Sequence, residues 1–449
     1  MYNLKASSLG EPKIESPVKG QDLATEDRFV CLATELSEIE AIRQKKQELP
    51  FLEIAGPHTK IFHDPAQVRV AIVTCGGLCP GLNNVIKGLV EVLTYDYGVR
   101  MIFGIRYGYQ GLNPRYGLSA VRLTLDKVDD IHESGGTILG SSRGNQDPKI
   151  MVDTLQMHLN VNILFCIGGD GTLHGAQEIV KEINNRKAPI SVVCVPKTID
   201  NDLNLVDRTF GFETCVQSAA DIITNAHVEA NGVPNGLGLV KVMGRDSGFI
   251  AAHASLASSV TNFCLIPEIQ LTLEGPNGLF RALERRYFKH HKDHCVIVVA
   301  EGAGQDLFDK EASTDASGNV LKHDIGRFLA DRISEHFKYS GNEINIKYID
   351  PSYIIRSIPA NSSDAIFCFQ LAENAIHAAM AGKTDVVVGS FRGDFVLVPI
   401  KYVISERKKI DTKSALWHAV LGSTRQNDYF TDSRFEDELP DRYAAEDWH

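Results

Sequence analysis

The feature that most constrains this chain is a repeated change of hydrophobic period. Strand-length runs of β-branched and other apolar residues occur at 68–74, 101–105, 163–167, 190–195, 237–242, 262–266 and 295–300. Between them, apolar residues return every three to four positions, as at 83–93, 174–183 and 214–228; Leu82, Ile86, Leu89, Val90 and Leu93 fall on one helical face. A strand that is apolar at nearly every position is covered on both faces, so helices must lie on both sides of its sheet. The alternation predicts an α/β chain with mainly parallel sheets. No fixed-period repeat interrupts it, which sets solenoids and propellers aside. At 449 residues the chain has room for two or three domains.

Open parallel sheets bind ligands beyond the carboxyl ends of their strands. Two of the expected strands end in paired glycines. One runs Thr74-Cys75-Gly76-Gly77-Leu78-Cys79-Pro80-Gly81-Leu82-Asn83, the other Ile167-Gly168-Gly169-Asp170-Gly171-Thr172. A glycine pair alone is an ordinary chain reversal. Two such turns, one carrying an acid and a hydroxyl, point to a polyphosphate held by backbone amides and a helix N-terminus. Neither turn is a Walker A loop or a G-x-G-x-x-G dinucleotide turn, so a Rossmann reductase is disfavoured. Asp170 suits Mg²⁺, which takes one or two carboxylates together with phosphate oxygens.

The next strand runs into Pro196-Lys197-Thr198-Ile199-Asp200-Asn201-Asp202. Asp and Asn are common in turns because they bond their own backbone. Here, straight after a buried strand, one carboxylate is placed to take a proton from a hydroxyl while Lys197 and Thr198 meet phosphate. Phosphoryl transfer asks little more of a protein than positioning and neutralisation of charge.

Composition narrows the partners. Lys plus Arg number 46 against 57 Asp plus Glu, a formal charge of −11, which is a poor match to nucleic acid. No run of about 18 apolar residues is present, so no membrane span is expected. The first residues lack a signal-peptide pattern. Nine scattered cysteines read as reduced thiols in a cytoplasmic protein; Cys75 and Cys79 have no neighbouring His or Cys pair to complete a zinc site.

Taken in order, G-G-L-C-P-G-L-N (76–83), G-G-D-G-T (168–172), P-K-T-I-D-N-D (196–202), G-F-E-T (211–214) and M-G-R-D-S-G (243–248) resemble the 6-phosphofructokinase family over roughly 68–410. The long N-terminal segment, with A-E-G-A-G-Q (300–305) and Y-I-D-P-S-Y (348–353), resembles its plant and trypanosomatid ATP-dependent branch. The resemblance implies two Rossmann-like α/β domains with the active site in the cleft between them. It implies an N-terminal extension (1–61), a nucleotide-binding part (62–212 with 355–427), a sugar-phosphate-binding part (213–354) and an acidic tail (428–449). The implied reaction is Mg²⁺-dependent transfer of the ATP γ-phosphoryl group to the 1-hydroxyl of fructose 6-phosphate, a step of glycolysis, in an allosteric, cytoplasmic homo-oligomer (dimer or tetramer).

Carried over residue by residue, Gly76, Arg143, Gly144, Gly168, Gly169, Asp170, Gly171 and Thr172 match the phosphoryl-donor site, with Asp170 anchoring the metal. Asp200 matches the general base, Asp202 its neighbouring acid, and Arg245 stands with them as catalytic. Thr198, Ile199, Asp200, Met243, Gly244, Arg245, Glu301, Tyr353 and Arg356 match the fructose 6-phosphate site. Lys347 stands where short bacterial relatives carry a 6-phosphate-binding Arg from a neighbouring subunit, but a lysine cannot form the bidentate fork. A further such Arg would fall near Gly236, where this chain has none. Pyrophosphate users in the family commonly pair Asp at position 171 with Lys at 197, and short ATP users carry Gly at both. This chain has Gly171 with Lys197, the same pair as the plant and trypanosomatid branch. A side chain at 171 would crowd the α-phosphate, so the expected donor is ATP. A pyrophosphate-dependent transferase and a catalytically silent sensing subunit are the alternatives.

Overall fold

The computed structural model describes residues 4–18, 28–144, 146–308 and 321–426; the expected acidic tail lies outside them. The chain first lays down β1 (Phe29–Cys31) and β2 (Phe51–Ile54). It then alternates through β3 (Arg69–Thr74), α1 (Leu82–Tyr95), β4 (Met101–Ile105), β5 (Val121–Arg122), β6 (Ile163–Gly168), α2 (Asp170–Arg186) and β7 (Ser191–Pro196). There follow α3 (Phe212–Asn231), β8 (Gly236–Val242), α4 (Phe249–Ser258), β9 (Phe263–Leu265), β10 (His294–Ala300), α5 (Ile325–Tyr339) and β11 (Asn345–Ile349). The described chain closes with α6 (Ser362–Met380), β12 (Val386–Phe391), β13 (Asp394–Pro399) and α7 (Ala415–Thr424).

Two compact units result. Described residues up to 215, with 353–408, form the first; 216–308, 322–352 and 409–426 belong to the second. The first holds a nine-stranded sheet in the order β1-β2-β13-β12-β7-β6-β3-β4-β5. Its centre, β12-β7-β6-β3-β4, is parallel, and antiparallel strands close both edges. Every residue of β6 and β7 is buried, as a strand covered on both faces requires. The apolar stripe of α1 (Val85, Ile86, Leu89, Val90, Leu93) is buried, and α1 packs on α6. The second unit holds a four-stranded parallel sheet, β9-β10-β8-β11, over its own core of Leu239, Ile297, Val299, Leu329 and Phe337.

The N-terminal stretch expected as an extension contributes directly to the first unit. β2 pairs with β13, Ser7–Ser8 pairs with Lys383–Thr384, and Ile14–Glu15 with Lys60–Ile61. A helix at Leu36–Gln44 buries no side chain. Residues 409–426, expected with the nucleotide-binding part, belong instead to the second unit. There α7 packs on α4, Trp417 is fully buried, and the Gln426 amide bonds both backbone groups of Cys264, covering the edge strand β9. All nine cysteines are free and all but Cys31 are buried, and burial pushes the Cys264 and Cys295 thiols up to about 12, which makes them inert. No described helix is long and apolar enough to cross a membrane.

Candidate active site

In the first unit the chemistry-bearing residues follow the carboxyl ends of three neighbouring strands, β3, β6 and β7. The ends are tied together by backbone. Cys75 N–H donates to Ile167 O (3.0 Å), and Lys197 N–H donates to Gly168 O (3.0 Å). Gly76 holds a left-handed φ of 86° and donates its N–H to Ser142 O (3.0 Å), while Ser141 Oγ donates to Gly76 O (2.6 Å). The segment leading to Arg143 and Gly144 is thereby fixed against the first glycine turn.

Three cations from distant parts of the sequence gather on that turn. Lys197 is buried and donates from Nζ to Gly77 O (2.8 Å). A Cβ placed on Gly77 would sit 3.4 Å from Arg143 Nη2 and 3.5 Å from Arg356 Nη1. The Arg356 guanidinium also lies over the Tyr353 ring, 4.6 Å from its centroid. Burial pulls the Lys197 ammonium below its ordinary lysine value, and Arg143 acts in the same direction. Asp200 pulls the other way, and a bound phosphate would likewise favour the charged form.

The second glycine turn opens α2. Gly169 is the N-cap and Asp170 the first helical residue, where the helix dipole favours a carboxylate. Thr172 is buried, its N–H donates to Gly169 O (2.9 Å), and its own carbonyl accepts from Tyr109 Oη (2.8 Å). A Cβ on Gly171 would meet nothing within 4 Å. The turn therefore leaves open space at residue 171.

The acid-dense turn is sprung at Asn201, whose φ of 53° is left-handed. Its side chain accepts from Thr209 N–H (3.0 Å), and Thr209 Oγ1 donates to Thr198 O (2.6 Å). Thr198 Oγ1 in turn accepts from Asp200 N–H (3.1 Å) and donates to Asp202 Oδ1 (3.3 Å). Ile199 is buried, and Asp200 is half-buried. Asp202 is nearly inaccessible, with burial pushing its carboxyl up, the Arg407 guanidinium opposing that shift and Asp170 adding to it. Arg407 bonds both acids, Nη2 to Asp170 Oδ2 (2.9 Å) and Nη1 to Asp202 Oδ2 (2.6 Å). Sequence reasoning missed this residue. It sits in Ser405-Glu406-Arg407-Lys408-Lys409, which reads as an ordinary solvated basic run.

The second unit assembles another set past β8 and β10. Glu301 N–H donates to Val242 O (2.9 Å), and Gly302 N–H to Gly244 O (3.0 Å). A Cβ on Gly302 would lie 1.9 Å from Arg245 O, so only glycine allows this approach. Arg245 and Glu301 then face each other, Nε to Oε1 3.7 Å, with Met243 and Gly244 leading in. Lys347 is not among them. It is exposed in β11 and registers with Gly238, five residues short of Met243 along β8, or roughly 16 Å at about 3.3 Å per residue.

Both acids that meet Arg407 are of the type that would hold a magnesium ion. Among the described residues no group of three or more His, Cys, Asp or Glu could hold a metal, so such an ion would take water or phosphate oxygens as its remaining ligands. Two carboxylates already sharing one cation fit that requirement.

Comparison with known proteins places these features. A protein-family model, Phosphofructokinase, matches residues 69–379. An ATP-dependent 6-phosphofructokinase of Borreliella burgdorferi is 51% identical over 380 residues, 84% of this chain and 85% of that protein. One from Entamoeba histolytica is 50% identical over 82% of this chain and 83% of its own, and one from Trypanosoma brucei brucei 46% over 82% and 75%. Among solved structures, the pyrophosphate-dependent phosphofructokinase of Marinobacter aquaeolei superposes with a TM-score of 0.65, covering 83% of this chain and 95% of that one, at 19% identity. At that identity the likeness speaks for the fold alone.

Proposed function

The chain belongs to the phosphofructokinase family, and we propose that it is an ATP-dependent 6-phosphofructokinase that phosphorylates the 1-hydroxyl of fructose 6-phosphate. The observation that carries this reading is the convergence of Lys197, Arg143 and Arg356 on the Gly76-Gly77 turn, on strand ends adjoining the acids Asp170, Asp200 and Asp202. Anions belong where three cations and a helix N-terminus meet, and carboxylates beside them serve a metal and a proton.

Asp200 is the base that accepts the sugar hydroxyl proton, oriented by its N–H bond to Thr198. Lys197, Arg143 and the backbone amides of residues 168–171 offset charge that builds on the transferring phosphoryl group. Asp170, with Asp202 beside it, would hold Mg²⁺, which when bound neutralises phosphate oxygens. The open space at Gly171 supports ATP, since the larger donor needs room that a side chain there would take. Arg245, Glu301, Met243 and Gly244 of the second unit are the residues we assign to the sugar phosphate, with Thr198, Ile199, Tyr353 and Arg356 of the first. Lys347 stands away from Arg245 on its own sheet, so we assign it to the site of a neighbouring copy; the protein then works as a homo-oligomer, dimer or tetramer. Cytoplasmic location and allosteric control complete the reading.

The test offers ATP and pyrophosphate in parallel, each with fructose 6-phosphate and magnesium. Fructose 1,6-bisphosphate formed with ATP is the expected outcome. Turnover with pyrophosphate alone would make it a pyrophosphate-dependent transferase, and turnover with neither a silent subunit.

A further inference from the structure

The geometry points to Arg407 as a built-in counter-cation that competes with the divalent ion for the Asp170–Asp202 pair. The inference rests on the reading of Asp170 as a metal anchor. Arg407 spans two acids that come from different strand ends, one nitrogen on each, at 2.9 and 2.6 Å. Its delivery is firmly set. Arg407 forms an antiparallel bridge with Leu203, and Lys408 N–H donates to Asp202 O (2.9 Å). Lys408 Nζ donates to Val206 O and Asp207 O (2.7 and 3.0 Å), while Asn204 Nδ2 reaches Tyr402 O (3.1 Å) and Glu406 Oε1 (3.2 Å). The segment 402–408 is thus bolted along 202–207, which fixes the backbone that carries the guanidinium beside the acids.

The side chain itself is 30% exposed, so it can leave toward solvent while its backbone stays. The other Asp170 oxygen, Oδ1, lies 3.6 Å from His174 Nδ1. Arg407 and His174 thus meet different oxygens of the Asp170 carboxylate. A divalent ion needs the same negative charge, and one guanidinium already neutralises half of it. Arg407 acts as a positioning residue: it keeps two like-charged acids together when no metal is present, and the metal must displace it.

The experiment measures Mn²⁺ binding to the nucleotide-free full-length protein by electron paramagnetic resonance. R407Q removes the competitor, so Mn²⁺ should bind at least tenfold more tightly than in the wild type, and adding D170N to R407Q should abolish that gain. A structural ion pair with no relation to the metal would leave Mn²⁺ affinity unchanged or weaken it, and either result in folded R407Q overturns the proposal. If R407Q does not fold, R407K serves, because a lysine keeps the charge but cannot fork onto both acids; an intermediate gain is expected, and no gain overturns the proposal. The metal assignment fails separately: D170N alone with unimpaired Mg²⁺-dependent turnover would remove Asp170 as anchor whatever Arg407 does.

Discussion

The two units solve the same problem by different means. Both place their chemistry past the carboxyl ends of parallel strands, β3, β6 and β7 in the first and β8 and β10 in the second. The first unit pins its residues with a side-chain network: Thr198, Asn201, Thr209 and Arg407 bond the acids or the turn that carries them. In the second, two backbone N–H bonds and a glycine that a methyl group would push off Arg245 O set how the loops approach, with Gln305 Nε2 donating to Glu301 O (2.7 Å). A network can fix a carboxylate for proton transfer, whereas a backbone contact sets where a substrate-binding loop lies. Substitutions in the first unit's acid network should therefore strike turnover, and substitutions at the Arg245 loop of the second should strike substrate affinity.

Asp200→Asn is the sharpest break. It keeps the shape of the turn and removes the proton acceptor, so kcat should fall by about 10³-fold or more while the KM for fructose 6-phosphate stays within a few-fold. Near-normal turnover would overturn Asp200 as base. On the other side, Gly302→Ala forces the Arg245 loop away without touching the first unit. The KM for fructose 6-phosphate should rise by about a hundredfold, with kcat changed far less; the reverse split would show that the second unit positions reacting atoms after all.

How much of this was readable beforehand follows from where the forces act. Strands 101–105 and 237–242 declare themselves because their residues are nearly all apolar, and the observed elements are Met101–Ile105 and Gly236–Val242. The pairs Ser7–Ser8 and Ile14–Glu15 could not be read, since two-residue strands carry no period and are made by partners at 383–384 and 60–61. The antiparallel hairpin β12–β13, interior to the nine-stranded sheet, is not among the expected strands. The glycine turns and the acids were legible as local patterns. Arg407 was not, because its meaning depends on Asp170 and Asp202, each more than 200 positions earlier in the chain. Lys347 could be placed on no sheet position from sequence alone.

Gly171→Asp separates the network from the space it encloses. At the second position of α2 an acid suits the helix N-terminus, and no protein atom obstructs a Cβ, so stability should hold. The carboxylate would instead repel the donor, and the KM for ATP should rise by about tenfold, with fructose 6-phosphate unaffected. Unchanged ATP kinetics would remove residue 171 from donor selection.

The smallest expected effect tests the first unit away from its turns. Asp385 sits between the end of α6 and β12, with φ 60°, its N–H donating to Val192 O and its carbonyl accepting from Ile400 N–H. Its carboxylate Oδ1 is buried without a hydrogen-bond partner, and burial pushes the group up from 3.8 to about 6, against the pull of Lys401 and Lys181. A raised acid means that the folded state holds a proton that the unfolded chain has released. Stability is then full below pH 3.8 and declines as pH rises through about 6, after which the buried charge is a standing cost. Asn accepts the left-handed conformation and carries no charge, so Asp385→Asn removes that cost. The variant should match the wild type at pH 4 and exceed it at pH 7.5 by about 1 kcal/mol, less than the ~3 kcal/mol that two pKa units convert to, because the group keeps some solvent. Urea unfolding at the two pH values reads the difference directly, and an equal gain at both would show that the charge on Asp385 is not what costs stability there.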